Sequence, residues 1–175
     1  MSRGLETKLP AMDRAAIVAR LSRLELFRGV DDGILGHVAD ISSEWSIPPG
    51  QHVYFAGDLA TEFYIVITGR VRAFIPGQGE ELTVTIVGPG QLFGEMALLD
   101  GGPRATTAIA IEPTVLLEVD RARWLTLVAE HVALTHRVLA AVGTSLRKYA
   151  GDMVDFQFID LEIPDVPPPP MSDTA

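Results

Sequence analysis

Glu95 and Arg104 stand nine positions apart in FGEMALLDGGPRATTA, residues 93–108. Between them lie a short helix-forming run, Glu95 to Leu99, and a chain reversal, Asp100-Gly101-Gly102-Pro103. Two readings fit that arrangement. The charges flank a surface loop, or they grip one ligand that has a hydroxyl end and an anionic end. The second reading has a definite chemistry. The first N–H groups of a helix lack intrahelical partners and can hold an anion. Gly94 lets a ligand approach the backbone closely. Arg104 offers a planar, permanently charged fork to phosphate oxygens, and Glu95 can accept hydrogen bonds from a sugar hydroxyl. Val84 and Ile86 can supply apolar walls. A ligand with a phosphate, a ribose hydroxyl and a flat base suits such a set.

Those residues need a scaffold that brings them to one cavity. From residue 43 to 119, turn signals such as Pro48-Pro49-Gly50, Ala56-Gly57-Asp58, Thr68-Gly69 and Gly88-Pro89-Gly90 punctuate the chain at short intervals. Between them lie runs rich in β-branched and aromatic residues: Val53 to Phe55, Phe63 to Ile67, Val71 to Ile75, Leu82 to Val87, Thr106 to Ile111 and Val115 to Val119. Short strands at that spacing predict an antiparallel sandwich or barrel. The spacing of Ile17, Val18, Leu21 and Leu24 predicts a helix over 11–26. A second short helix starts from an Asp31 or Asp32 cap. On the other side, Asp120 caps a helix through Trp124, Leu127 and Val128, and a longer helix runs from about Val132 to Met153. Its Leu139, Val142, Leu146, Tyr149 and Met153 form a heptad seam. That seam either packs on the chain's own sheets or pairs two copies as a dimer.

Composition bounds the rest. At 47% hydrophobic over 175 residues, the chain can bury one sizeable core. Its formal net charge of −9 argues against a surface built for nucleic acid. There is no cysteine, which excludes disulfides, thiolate zinc sites and iron–sulfur clusters. His37, His52, His131 and His136 are scattered, so no metal or catalytic cluster is read from them. No stretch approaches the ~20 apolar residues of a membrane span, and the N-terminus lacks the apolar core of a secretory signal. A cytoplasmic chain without enzymatic chemistry is the expectation.

The order of residues over 93–108 closely resembles the phosphate-binding cassette of the cyclic nucleotide-binding domain family, which includes the sensor domains of Crp/Fnr-type regulators. Phe93, Gly94, Glu95, Met96, Ala97, Leu98, Leu99, Pro103, Arg104, Ala105 and Thr106 carry the match. Leu26-Phe27-Arg28-Gly29-Val30, Pro49-Gly50, Gly57-Asp58, Phe63 to Val66 and Gly69-Arg70-Val71 extend it, as do Trp124 and His131. The resemblance implies an antiparallel β-roll, mainly β with flanking helices. The division expected is an N-terminal extension over 1–11, a binding domain over 12–153 and a hinge-like, acidic and proline-rich tail over 154–175. The β-roll itself occupies about 43–119 and the C-terminal helices about 121–153. Glu95 would bind a ribose 2′-hydroxyl, and Arg104 would pair with a cyclic phosphate. Backbone N–H groups near Gly94, Met96, Ala97 and Ala105 would complete the cradle. The domain would act as a sensor with no cofactor, taking cAMP first and cGMP second. Ala105 resembles cAMP-type cassettes, as in protein kinase A regulatory subunits, while Thr106 keeps cGMP in question.

The resemblance also fails in places. Residues 153–161 look like the hinge before a DNA-reading domain, yet residues 162–175 are rich in proline and acid and hold no Lys or Arg. No nucleic acid contact is expected of this chain. The Thr-Ser pair with which some family members touch adenine falls here on Tyr149-Ala150. Tyr149 either stacks on the purine or belongs to the helix seam. The alternatives are a ligand-free dimerisation or interaction module, and a regulatory subunit acting in trans, with the same fold.

Overall fold

The computed structural model describes residues 13–77, 79–96 and 100–157. A helix α1 (Arg14–Leu21) and a 3-10 turn (Glu25–Phe27) lead into α2 (Asp32–Asp40). Eight strands follow: β1 (Ser42–Ile47), β2 (His52–Tyr54), β3 (Glu62–Thr68), β4 (Val71–Pro76), β5 (Glu81–Val87), β6 (Leu92–Phe93), β7 (Thr107–Ala110) and β8 (Thr114–Asp120). Two helices close the described chain, α3 (Arg121–Glu130) and α4 (Val132–Gln157). The helix expected over 11–26 thus stops at Leu21. Its C-cap, Ser22, is followed by a turn that redirects the chain, and Leu26 and Phe27 enter the core from the 3-10 turn instead.

The strands form two four-stranded antiparallel sheets, β1-β8-β3-β6 and β2-β7-β4-β5. Two strands are absent from the sequence expectation. Strand β1, SSEWSI, has too few apolar residues to stand out and is held by a six-residue register against β8. Strand β6 is two residues long and pairs only through Tyr64–Phe93 and Ile65–Leu92.

Side chains alternate across each strand, and β3 shows what that does here. Tyr64 and Val66 point between the sheets, joining Val71, Phe93, Ala108 and Leu116 in one apolar cluster. Phe63 and Ile65 point the other way, into a cluster with Leu21, Phe27, Leu35, Trp124 and Leu134 from the helices. The Trp124 ring meets Phe63 edge-on at 5.2 Å. Both faces of β3 are covered, so its sequence reads as a continuous apolar run and not as an alternation. Asp31 and Asp120 cap α2 and α3, accepting from the N–H groups of Gly33 and Arg123.

The stripe on α4 divides. Val142 is buried, while Val132, Leu139 and Leu146 are 67%, 57% and 46% exposed. The side chains of Tyr149 and Met153 lie outside the described residues. Among the described residues, no helix is long and apolar enough to cross a membrane.

Candidate functional site

Glu95 and Arg104 are the two charged residues that are buried among the described ones, at 1% and 5% exposure. Burying a charge is costly unless it is paired and hydrogen-bonded, so the arrangement around Arg104 is informative. Its backbone is fixed first. Arg104 N–H donates to the Asp58 carbonyl at 2.9 Å, and Gly57 N–H donates to the Arg104 carbonyl at 2.8 Å. Residues Leu59 and Pro103 form an antiparallel bridge beside them. The turn Ala56-Gly57-Asp58 therefore clasps the far end of the loop that begins at Gly94.

The side chain then runs inward between aromatic rings. The guanidinium carbon lies 4.2 Å from the Tyr54 ring centroid and 5.6 Å from that of Tyr64. Nη2 donates to the Glu62 main-chain carbonyl at 2.7 Å, and Nη1 donates to the Gly94 carbonyl at 3.2 Å. A carboxylate oxygen of Glu62 stands 3.6 Å from Nη2. The third nitrogen, Nε, is buried and makes no hydrogen bond. A fork held on two carbonyls and an aromatic face, with one of its three nitrogens unengaged, is prepared for a further acceptor.

Gly94 is required by this packing. Its φ is +72°, and a Cβ there would lie 2.6 Å from Arg104 Nη1. Phe93, just before it, stacks on Tyr64 at 5.1 Å and on Tyr54 at 6.1 Å. Tyr54 links the pieces. Burial pushes its phenol pKa up; a hydrogen bond with Thr106 and the nearby Arg104 charge pull it down, and Glu95 pushes it up. One ring thus senses Glu95, Arg104 and Thr106 together. Burial, with the carboxylates of Glu62 and Glu118, raises the Tyr64 phenol as well.

Among the residues expected at the site, the structure gathers Phe93, Gly94, Glu95, Arg104 and Thr106 around Tyr54. Met96 is 45% exposed and Ala105 is also at the surface, so any part they play falls to their backbones. Ala97 and the Tyr149 side chain lie outside the described residues. Strand β5 corrects one expectation. Ile86 pairs with Arg72 and is 45% exposed, so it stands on the outer face. Val84 is the extra residue of a bulge, since Phe74 pairs with Thr83 and Ala73 with Thr85. The inward side chains of this strand are Thr85 and Val87, both buried. Sequence reasoning missed Tyr54, Tyr64 and Glu62. The first two were legible as aromatic residues on the inward phase of β2 and β3. The hydrogen bond from Arg104 to Glu62 goes to its main-chain carbonyl, which no residue type reveals. Among the described residues there is no group of three or more His, Cys, Asp or Glu placed to hold a metal.

A family model described as the cyclic nucleotide-binding domain matches residues 44–131. The cyclic AMP receptor protein of Thermus thermophilus is 39% identical over 102 residues, which is 58% of this chain and 47% of that protein. A cAMP-dependent protein kinase regulatory subunit from Blastocladiella emersonii is 31% identical over 140 residues, 78% of this chain and 35% of that one. The regulatory domain of protein kinase A from Toxoplasma gondii, solved with cAMP, superposes with a TM-score of 0.64 at 27% identity, covering 75% of this chain and 49% of that chain. This chain thus spans about half or less of each of these relatives.

Proposed function

The chain belongs to the cyclic nucleotide-binding domain family, and from that premise we propose that it is a regulatory sensor whose ligand is a purine cyclic nucleotide, cAMP before cGMP. The observation that carries this reading is the buried Arg104 fork, whose Nε donor lacks an acceptor. A cyclic phosphate oxygen supplies that acceptor and answers the buried charge. Glu95, nine residues earlier and buried beside the same Tyr54 ring, is assigned the ribose hydroxyl. The backbone around Gly94, Met96, Ala97 and Ala105 is assigned to the remaining phosphate oxygens. Ala105, with no hydroxyl to offer a guanine, is the residue that favours cAMP.

In this reading the protein performs no chemistry on the ligand; it works in the cytoplasm by changing the placement of α4. That helix is tied to the β-roll through Lys148, whose ammonium donates to the Ile86 carbonyl at 2.5 Å. A ligand that binds one placement of α4 better shifts the population toward it. The domain we assign to this role covers about 12–153. The exposed Val132, Leu139 and Leu146 repeat every seven residues along α4, which favours a second copy of the chain as its partner.

Calorimetric titration with cAMP and then cGMP, on protein unfolded and refolded to strip carried ligand, tests the reading. Saturable binding with cAMP tighter is expected. Binding of neither nucleotide overturns it and leaves an interaction module with the same fold.

A further inference from the structure

Two imidazole rings meet where α2 reaches the joint between α3 and α4. The His37 and His131 ring centroids are 6.1 Å apart, with the ring planes inclined at 33°. His37 is exposed in the last turn of α2, a helix anchored by the buried Leu35 and Val38. His131 is the single residue between α3 and α4. Its N–H donates to the Val128 carbonyl at 3.3 Å, and its carbonyl accepts from the N–H groups of Leu134 and Thr135 at 3.0 and 3.1 Å. The Thr135 hydroxyl ties the two helices again, donating to the Val128 carbonyl at 2.7 Å. The direction in which α4 leaves α3 is therefore set at His131. One ring rides on that joint, and the other is fixed to the body of the domain.

The charged neighbours of the pair keep their charges while histidine titrates. Asp40, on α2, accepts two hydrogen bonds from Arg14 of α1, at 2.6 and 3.1 Å. Those bonds hold the Asp40 carboxyl below its usual range, and the charge of His37 adds a smaller pull. Asp40 thus stays ionised, with Arg14 answering it. Arg123 and Glu130 of α3 line the groove beside His37 and Asp40, one charge of each sign, and α4 adds no residue to that lining. Histidine is the side chain that ordinarily changes charge between pH 5 and 8. What changes in that range is the pair itself: two neutral rings tolerate contact, and two imidazolium rings repel.

We propose that His37 and His131 form a pH-sensitive switch on the placement of α4: acid charges both rings, drives the joint away from α2 and loosens α4 from the β-roll. The rings are close in the placement seen here, in which the Lys148 ammonium of α4 rests on the Ile86 carbonyl of β5. The inference rests on the nucleotide reading, in which the ligand holds α4 on the roll. Acid then weakens the ligand, and by linkage the ligand expels protons as it binds.

The test is calorimetric titration of the wild-type chain, His37→Gln and His131→Gln with cAMP, whose own charge is constant over the range, at pH 5.5, 6.5 and 7.5. The wild type is expected to bind roughly three- to tenfold more weakly at pH 5.5 than at pH 7.5, the scale of a like-charge contact at this distance near a protein surface. Each variant should match the wild type at pH 7.5 and lose most of the acid weakening. Titration at pH 6.5 in two buffers of different ionisation heat should show proton release on binding to the wild type and less in either variant. Thermal melts without ligand at each pH separate acid unfolding from a change in binding. An affinity of the folded wild type that is level with pH overturns the switch. So does an acid weakening that survives in both variants, which would place it on His52 or His136. A wild type that binds no cAMP at any of the three pH values overturns the nucleotide reading, and the switch with it.

Discussion

The Arg104 guanidinium lies over the Tyr54 ring, its central carbon 4.2 Å from the centroid, while two of its nitrogens are engaged by the carbonyls of Gly94 and Glu62. The ring orients the fork at little entropic cost and offers its negative face to the charge. Tyr54→Phe keeps that face and should bind cyclic nucleotide within about twofold of wild type. Tyr54→Leu removes it and should weaken binding by about 1–2 kcal/mol. Titration of the two variants side by side checks the platform; equal affinities would remove the ring from the account.

Gly94 makes a sharper prediction. At φ +72° and with Arg104 Nη1 2.6 Å from where a Cβ would sit, Gly94→Ala must both strain the backbone and displace the fork. A destabilisation of about 1–2 kcal/mol is expected from the left-handed conformation, together with loss of measurable ligand binding. Urea unfolding and titration read the two effects separately. Wild-type affinity in Gly94→Ala would show that the Arg104 position is not critical.

Tyr54 and Tyr64 are expected to make stability fall in alkali. Burial raises both phenol pKa values above the ordinary 10.0, so the folded state keeps protons that the unfolded chain releases. Their contribution is complete below about pH 10 and is lost as pH rises further, by up to roughly 1.4 kcal/mol per pH unit for each tyrosine. Unfolding free energies measured from pH 8 to 11 should be level at first and then fall. The double variant Tyr54→Phe with Tyr64→Phe should fall less steeply. Equal slopes would contradict the assignment.

Residues 93–108 carried most of the site because their chemistry is local: a glycine, an acid and an arginine within twelve residues. What they could not carry is the support. The Glu62 carbonyl and the Asp58 carbonyl reach Arg104 from over forty residues away, through main-chain atoms that every residue type has. Turn glycines and β-branched runs made the β-roll legible, except where β1 is polar and β6 too short to show a pattern. The bulge at Val84 explains the error on β5. One extra residue exchanges the inward and outward phases, so Thr85 lines the interior where Ile86 was expected.

The division of the α4 stripe bears on assembly. Val142 is satisfied within the domain, whereas Leu139 and Leu146 are not. Leu139→Lys with Leu146→Lys should leave the melting temperature within a few degrees and abolish a dimer in sedimentation velocity, since these side chains bury little in the single chain. A wild-type chain that sediments as a monomer at every concentration and with saturating cAMP would exclude the seam as an interface.

The most direct test of the central claim is one paired titration, of refolded wild type and Arg104→Ala with cAMP. The account predicts saturable binding to the wild type and a loss of roughly 2–5 kcal/mol in the variant, the scale of removing one partner from a buried charged contact. Equal affinities, with both proteins folded, would contradict it, because the phosphate would then be held somewhere other than on this arginine.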